Sequence, residues 1–232
     1  NKSDLRLFIE KGEWKSNKPG IIISFDDGLL SNLLYAKQEL EAFGFTGWFM
    51  VPAGVIDLAS TEHLKFAING LIDYTPLENS ERLFMNRDEI VKLRNSNHEI
   101  VCHSYSHSRL SKDLSDKKLE SEIIVSTQTI SQTIGEEVDS FAWVGGEEFA
   151  YNKRAIEMMK ENGIDFVFAT NCSEITPQQN PLMLERFHVD ASYSLRKLSF
   201  SISWPYKLLY RSKRKRLKQL LFGQNSVNNF KV

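Results

Sequence analysis

At 232 residues, with 41% hydrophobic and 25% charged side chains, the chain has the composition of a soluble globular protein able to bury one sizeable core. Two cysteines are too few for a disulfide framework, no apolar run approaches the roughly eighteen residues of a membrane span, and no secretory signal stands at Asn1. The net charge of −1 conceals a split: residues 191–232 hold ten Lys or Arg and no acid, whereas residues 1–190 carry −11.

Residues 1–18 are polar with scattered apolar positions and predict a lead-in strand or loop. Pro19-Gly20 marks a turn, and Ile21–Phe25 is a β-branched run suited to a strand buried on both faces. That strand ends in Asp26-Asp27-Gly28. Parallel sheets place their chemistry at the C-terminal ends of strands, although Asp and Gly are also the ordinary residues of a turn. Leu33, Leu34, Leu40 and Phe43 predict a helix stopped at Gly44, and Phe45–Val51 a second strand stopped by Pro52. From Pro52 to about Met85 we expect a short helix and a loop over the mouth of the sheet, with His63 outside any metal site. Asn86 and Glu89 form a capping box for a helix that ends near Asn97.

Glu99–Cys102 is the third strand and leads into His103-Ser-Tyr-Ser-His107. Two histidines four apart meet on one side of a helical turn, so both imidazoles reach one metal ion. A carboxylate from elsewhere would complete a two-histidine, one-carboxylate site. Together the two strand-end motifs supply one metal site and one spare base. Ser115–Gly135 then reads as a long helix with Leu119, Ile123, Ile130 and Ile134 inward and a solvated Lys, Glu, Ser, Thr and Gln face. Strands at Ser140–Val144 and Asp165–Ala169 flank a helix at Tyr151–Asn162, and Met183–Val189 is a further strand carrying Arg186 and His188. The alternation predicts an α/β protein with a parallel sheet.

Ser24-Phe25-Asp26-Asp27-Gly28 resembles the first motif of the polysaccharide deacetylases, the NodB-homology carbohydrate esterases, and His103–His107 resembles the second. The likeness runs from about Lys18 to Asp190. It implies an irregular, incomplete (β/α) barrel in a catalytic domain over 1–190, and one divalent ion, most often Zn2+, held by Asp27, His103 and His107. It also implies Asp26 as general base, a late histidine (here His188) as general acid, and a structural His98. The segment Phe141–Gly146 stands where the family usually has an arginine that braces the base; Arg186, one strand later, is the residue available instead. The family's Asp-x-x-Asp-Trp-type fourth motif is absent too, and Ile164–Thr170 is apolar in its place. Trp143, Arg186 and Tyr105 are the expected substrate contacts, the aromatic ones being equally suited to core or rim.

The implied activity is removal of N-acetyl groups from an amino-sugar glycan or lipid-linked glycan precursor in bacterial cell-surface polysaccharide biosynthesis. An inactive carbohydrate-binding relative, or a hydrolase of non-sugar amides or O-acetyl esters, are the alternatives; an intact Asp26 argues against the first. The 191–232 extension lies beyond the resemblance. Its leucines at near-helical spacing around Arg211–Arg216 suit either a packed helix with a basic solvent face or a peripheral contact of residues 204–222 with anionic membrane. No aromatic-interleaved groove pattern supports nucleic acid. The expected location is cytoplasmic, with that membrane contact.

Overall fold

The computed structural model describes residues 1–70 and 82–223. Six short strands pair in parallel and in chain order: β1 (Ile23–Phe25), β2 (Gly47–Val51), β3 (Glu99–Cys102), β4 (Ser140–Ala142), β5 (Phe166–Ala169) and β6 (Leu184–Glu185). Side chains alternate between the two faces of a strand, and the buried residues separate accordingly. Trp48, Met50, Val101, Ala142, Phe166, Phe168 and Leu184 meet on the inner face of a half-barrel. Phe49, Val51, Ile100, Cys102, Phe141, Trp143, Val167 and Ala169 face outward and pack beneath the helices. This is the incomplete (β/α) barrel expected from the sequence.

The chain opens on α1 (Lys2–Lys11), a helix where the sequence suggested a strand or loop. Asn1 caps it by accepting from the Asp4 N–H at 3.0 Å, and Gly12 ends it at φ 70°. Leu5 and Ile9, one turn apart, plug the inner face of the barrel. Lys2–Asp139 at 2.8 Å and Arg6–Asp165 at 2.6 Å tie the helix to the segments that enter β4 and β5. Only this i,i+4 pair betrays the helix, which is why its apolar residues look scattered.

After β1 the chain forms a π-helical turn at Asn32–Lys37 and α2 (Gln38–Ala42). Of the expected stripe, Leu40 is buried, but Leu34 and Phe43 are 57% and 73% exposed. A 3-10 turn at Ala53–Val55 and α3 (Ser60–Gly70) follow β2. His63 is buried there, its ring bonded to backbone groups of Leu58 and Leu83. Leu71 and Ile72 of the expected insertion lie outside the described residues. The Asn86–Glu89 capping box opens α4 (Arg87–Asn95), and Asn97 takes the left-handed conformation at φ 63°. α5 (Asp116–Glu120), a π turn at Ser121–Val125 and α6 (Ser126–Ile134) make one long helical rod, which Gly135 ends. α7 (Lys153–Glu161) joins β4 to β5. The expected strand over Met183–Val189 pairs only at Leu184–Glu185, because beyond Arg186 the chain leaves the sheet edge.

The basic extension forms α8 (Leu195–Ser201), α9 (Trp204–Leu209) and α10 (Arg211–Phe222). Leu217 and Leu221 enter the outer core cluster, and Arg214 donates to the carbonyls of Asn171 and Cys172 at 2.7 Å. The packed-helix alternative therefore holds for α10.

Candidate active site

By the alternation of β1, Ser24 and Asp26 point to the inner face, and Phe25 points out into the helix-covered core. The next two residues break the strand: Asp27 has φ 74° and Gly28 φ 65°. Two successive left-handed residues send adjacent carboxylates in different directions. Asp26 turns toward Arg186, whose guanidinium grips it at 2.6 and 3.0 Å while also donating to Ser24 Oγ at 3.0 Å. Leu184 faces inward and Glu185 outward, so Arg186 returns to the inner face at the barrel mouth. The bidentate pair bridges the two edge strands of the open sheet, 160 residues apart in sequence. Burial opposes the charged form of Asp26, but the charge and hydrogen bonds of Arg186 together with the neighbouring His103 hold the carboxyl below its ordinary range.

His103–His107 is not a helical turn. It is a loop with left-handed residues at Ser104 (φ 64°) and His107 (φ 54°), so the imidazoles converge through loop geometry rather than helical periodicity. His103 Nδ1 lies 2.9 Å from the Ala142 carbonyl and His107 Nδ1 lies 2.7 Å from the Gly70 carbonyl. A carbonyl only accepts, so each Nδ1 carries a proton and each Nε2 faces Asp27, at 3.6 Å from His103 and 2.9 Å from His107. One ligand atom from each of the three residues falls within 4.8 Å of the others.

Burial disfavours the charged form of Asp27, yet its contacts with His103 and His107 leave its carboxyl well below the usual range. Burial likewise lowers His107, and the contact with Asp27 more than reverses this, raising it. Two Nε2 atoms oriented by backbone carbonyls, plus one carboxylate, fit a divalent ion.

The loop is held by a residue that the sequence placed on a solvated helix face. Glu122, in the π turn of the long rod, is fully buried. It accepts from the N–H groups of Tyr105 and Ser106 at 2.9 Å, from Ser106 Oγ at 2.5 Å and from Lys118 at 2.6 Å. Its signal was a carboxylate on the same stripe as Leu119, Ile123 and Ser126. Burial raises its pKa, but the Lys118 and Ser106 hydrogen bonds outweigh that and leave it lowered. A depressed carboxylate stabilises the fold above its unfolded pKa and loses that contribution as pH falls through the folded value. Glu122→Gln is therefore expected to lower the urea midpoint at pH 7, by a gap that starts to shrink only below the ordinary glutamate value of 4.5 and closes as pH falls through the lowered folded value. Parallel urea curves at pH 7 and below the folded value check this; an unchanging gap between them would contradict it.

Gly54 supports the same loop from the other side. Ala53 and Gly54 donate to the Ser104 and Tyr105 carbonyls at 2.9 Å, and a Cβ on Gly54 would stand 2.6 Å from the Tyr105 oxygen. The obstacle is backbone, so the loop must shift. Gly54→Ala is expected to weaken metal binding about 10-fold or more, as loss of outer support does; calorimetric metal titration measures it.

The remaining expected contacts divide. Tyr105 is 38% exposed at the rim of this loop. Trp143 is corrected: strand parity turns it outward into the core, where it is 1% exposed beside Phe141 and Tyr151, so no ring face meets a ligand. Arg186 stands against Asp26, where the sequence offered it in place of the family's bracing arginine, with both terminal nitrogens on that carboxylate. His188 is exposed, and its ring lies edge-on to Tyr193 at 6.4 Å. No hydrogen bond or ion pair joins it to Asp26, Asp27, His103 or His107. Cys102 is an inert core thiol that burial pushes up to about 11, with Ser126 Oγ at 2.9 Å.

Among solved structures, the chain resembles the Streptococcus pyogenes deacetylase PplD at TM-score 0.69 and 13% identity, over 88% of this chain and 78% of that one. A de-N-acetylase from Aggregatibacter actinomycetemcomitans aligns at TM-score 0.62 and 18% identity, over 86% and 80%. IcaB from Ammonifex degensii aligns at 0.58 and 17%, over 87% and 86%. At these identities the likeness establishes the fold. No curated protein matches the sequence. The family model of the polysaccharide deacetylases matches residues 14–167, spanning both strand-end motifs. On that match, covering most of the barrel, the chain belongs to the polysaccharide deacetylase family.

Proposed function

We propose that this protein is a divalent-metal-dependent N-deacetylase of an amino-sugar glycan or its lipid-linked precursor, working on the cytoplasmic side of bacterial cell-surface polysaccharide assembly. The observation that carries the reading is the separation of two adjacent carboxylates: Asp27 sits with both imidazole Nε2 atoms, and Asp26 stands apart on Arg186. Asp27, His103 and His107 would hold the ion, and zinc suits that donor set. When bound, such an ion supplies Lewis acidity toward the acetyl carbonyl and water.

Asp26, kept ionised and oriented by Arg186, takes the proton from the attacking water. The departing amine needs a proton in return. His188, two residues beyond Arg186 and open to solvent, is the proposed donor. Tyr105 at the rim is the proposed sugar contact.

The test is mass spectrometry of N-acetylated and O-acetylated glycans incubated with metal-loaded and chelator-stripped protein. Metal-dependent loss of acetyl from the N-acetyl glycans is expected. Release from O-acetyl substrates alone would make the protein an esterase, and glycan binding without turnover would make it a binding module.

A further inference from the structure

Six of the eighteen large apolar side chains that stand exposed among the described residues fall within positions 195–209. They are Leu195 (81% exposed), Phe200, Ile202, Trp204 (66%), Leu208 and Leu209 (71%), on α8, α9 and the turn between them. Trp204 and Leu208 stand four apart and so share one side of α9, and Ile202 lies in the turn that joins it to α8. A soluble monomer rarely leaves such a cluster uncovered.

Charge identifies the cover. From residue 191 onward there is no acidic side chain. Among the described basic residues of this region, four turn inward. Lys207 pairs with Glu174, Arg216 with Glu148, Lys213 reaches the Gly146 carbonyl, and Arg214 is spent on the Asn171 and Cys172 carbonyls. Those four face the body of the protein, and of the expected 204–222 stripe Leu217 and Leu221 are buried whereas Trp204 and Leu208 stay exposed, so the presented surface is its N-terminal part together with α8. Arg196, Arg211 and Lys215 are exposed and have no acidic partner among the described residues; Lys197 lies over the Tyr193 ring at 3.6 Å. Two short helices bearing Trp, Phe, Leu and Ile with unpaired cations alongside have the composition of an element that lies in the plane of a bilayer interface.

We infer that α8 and α9 are a membrane-docking surface whose occupant is an anionic lipid bilayer. The surface begins a few residues after His188, so docking would hold the barrel mouth near the lipid headgroups. The inference stands on exposure and charge and is independent of the deacetylase reading.

The experiment is co-sedimentation of the full chain with vesicles of phosphatidylcholine alone or containing phosphatidylglycerol, at low and high salt, without reference to activity. Binding is expected to the anionic vesicles only, and to fall with salt because each cation near the surface is worth about fivefold in affinity at low ionic strength. The exposed triple variant Leu195→Ser, Trp204→Ser, Leu209→Ser should lose binding at least 10-fold with an unchanged unfolding curve. Arg196→Gln with Arg211→Gln should lose it while keeping the apolar face. A blue shift of fluorescence on adding vesicles, absent in Trp204→Phe, would place that ring in the lipid. Equal partitioning of parent and triple variant, or no binding to anionic vesicles at low salt, overturns the inference. So does light scattering that shows a dimer broken by the triple variant, or nucleic acid that binds more tightly than vesicles.

Discussion

Asp26→Asn is expected to keep the fold and the metal and to lose turnover by about 10²-fold or more, the contribution of a positioned base. The amide is nearly isosteric, and its oxygen still accepts a guanidinium N–H, so Arg186 keeps one of its two bonds to this position. Arg186 is only 11% exposed, so losing one of its two bonds is expected to lower the unfolding midpoint, which is measured beside metal content and rate. What the amide cannot do is take a proton from water near neutral pH. Metal content and rate measured on the same sample decide the matter. Release of the ion would make Asp26 a ligand, and full activity would remove it from the mechanism.

Asp27→Asn and His107→Ala should fail in the complementary way, losing metal affinity by more than about 100-fold, beyond what loss of an outer partner brings. Asp27 supplies the only carboxylate of the three-residue cluster, and His107 Nε2 is its nearest neighbour at 2.9 Å. His107 is buried and bonded to the Gly70 carbonyl, so His107→Ala is also expected to lower the unfolding midpoint without metal, whereas the nearly isosteric Asp27→Asn should change it little. Asp26→Asn is the control: if it loses the ion as readily as Asp27→Asn, the two carboxylates do not divide the work. An ion held elsewhere in a metal-soaked crystal would sink the assignment outright.

By itself the sequence determined the order of strands, the parallel sheet and both strand-end motifs. These depend on local chemistry: β-branched runs stopped by Gly or Pro, the Asn86–Glu89 box, and Asp-Asp-Gly and His-x-x-x-His at strand ends. A short run with no period is where such reading fails, and α1 shows it, because Leu5 and Ile9 reveal a helix only once the barrel offers them a floor.

Which face each side chain takes was decided by the tertiary structure. Trp143 is aromatic and near the motif, yet one step of strand parity carries it out of the mouth and brings Arg186 in. The convergence of His103 and His107 depends on two left-handed residues that neither spacing nor composition announces. Arg186 reaches Asp26 only because six strands curl far enough for the edges to meet, and Glu122 finds the Tyr105 and Ser106 amides only where a π turn meets the loop. Local propensity is written in neighbouring residues. Partners 16 and 160 positions apart are written in the curvature of the sheet and the packing of helices on it.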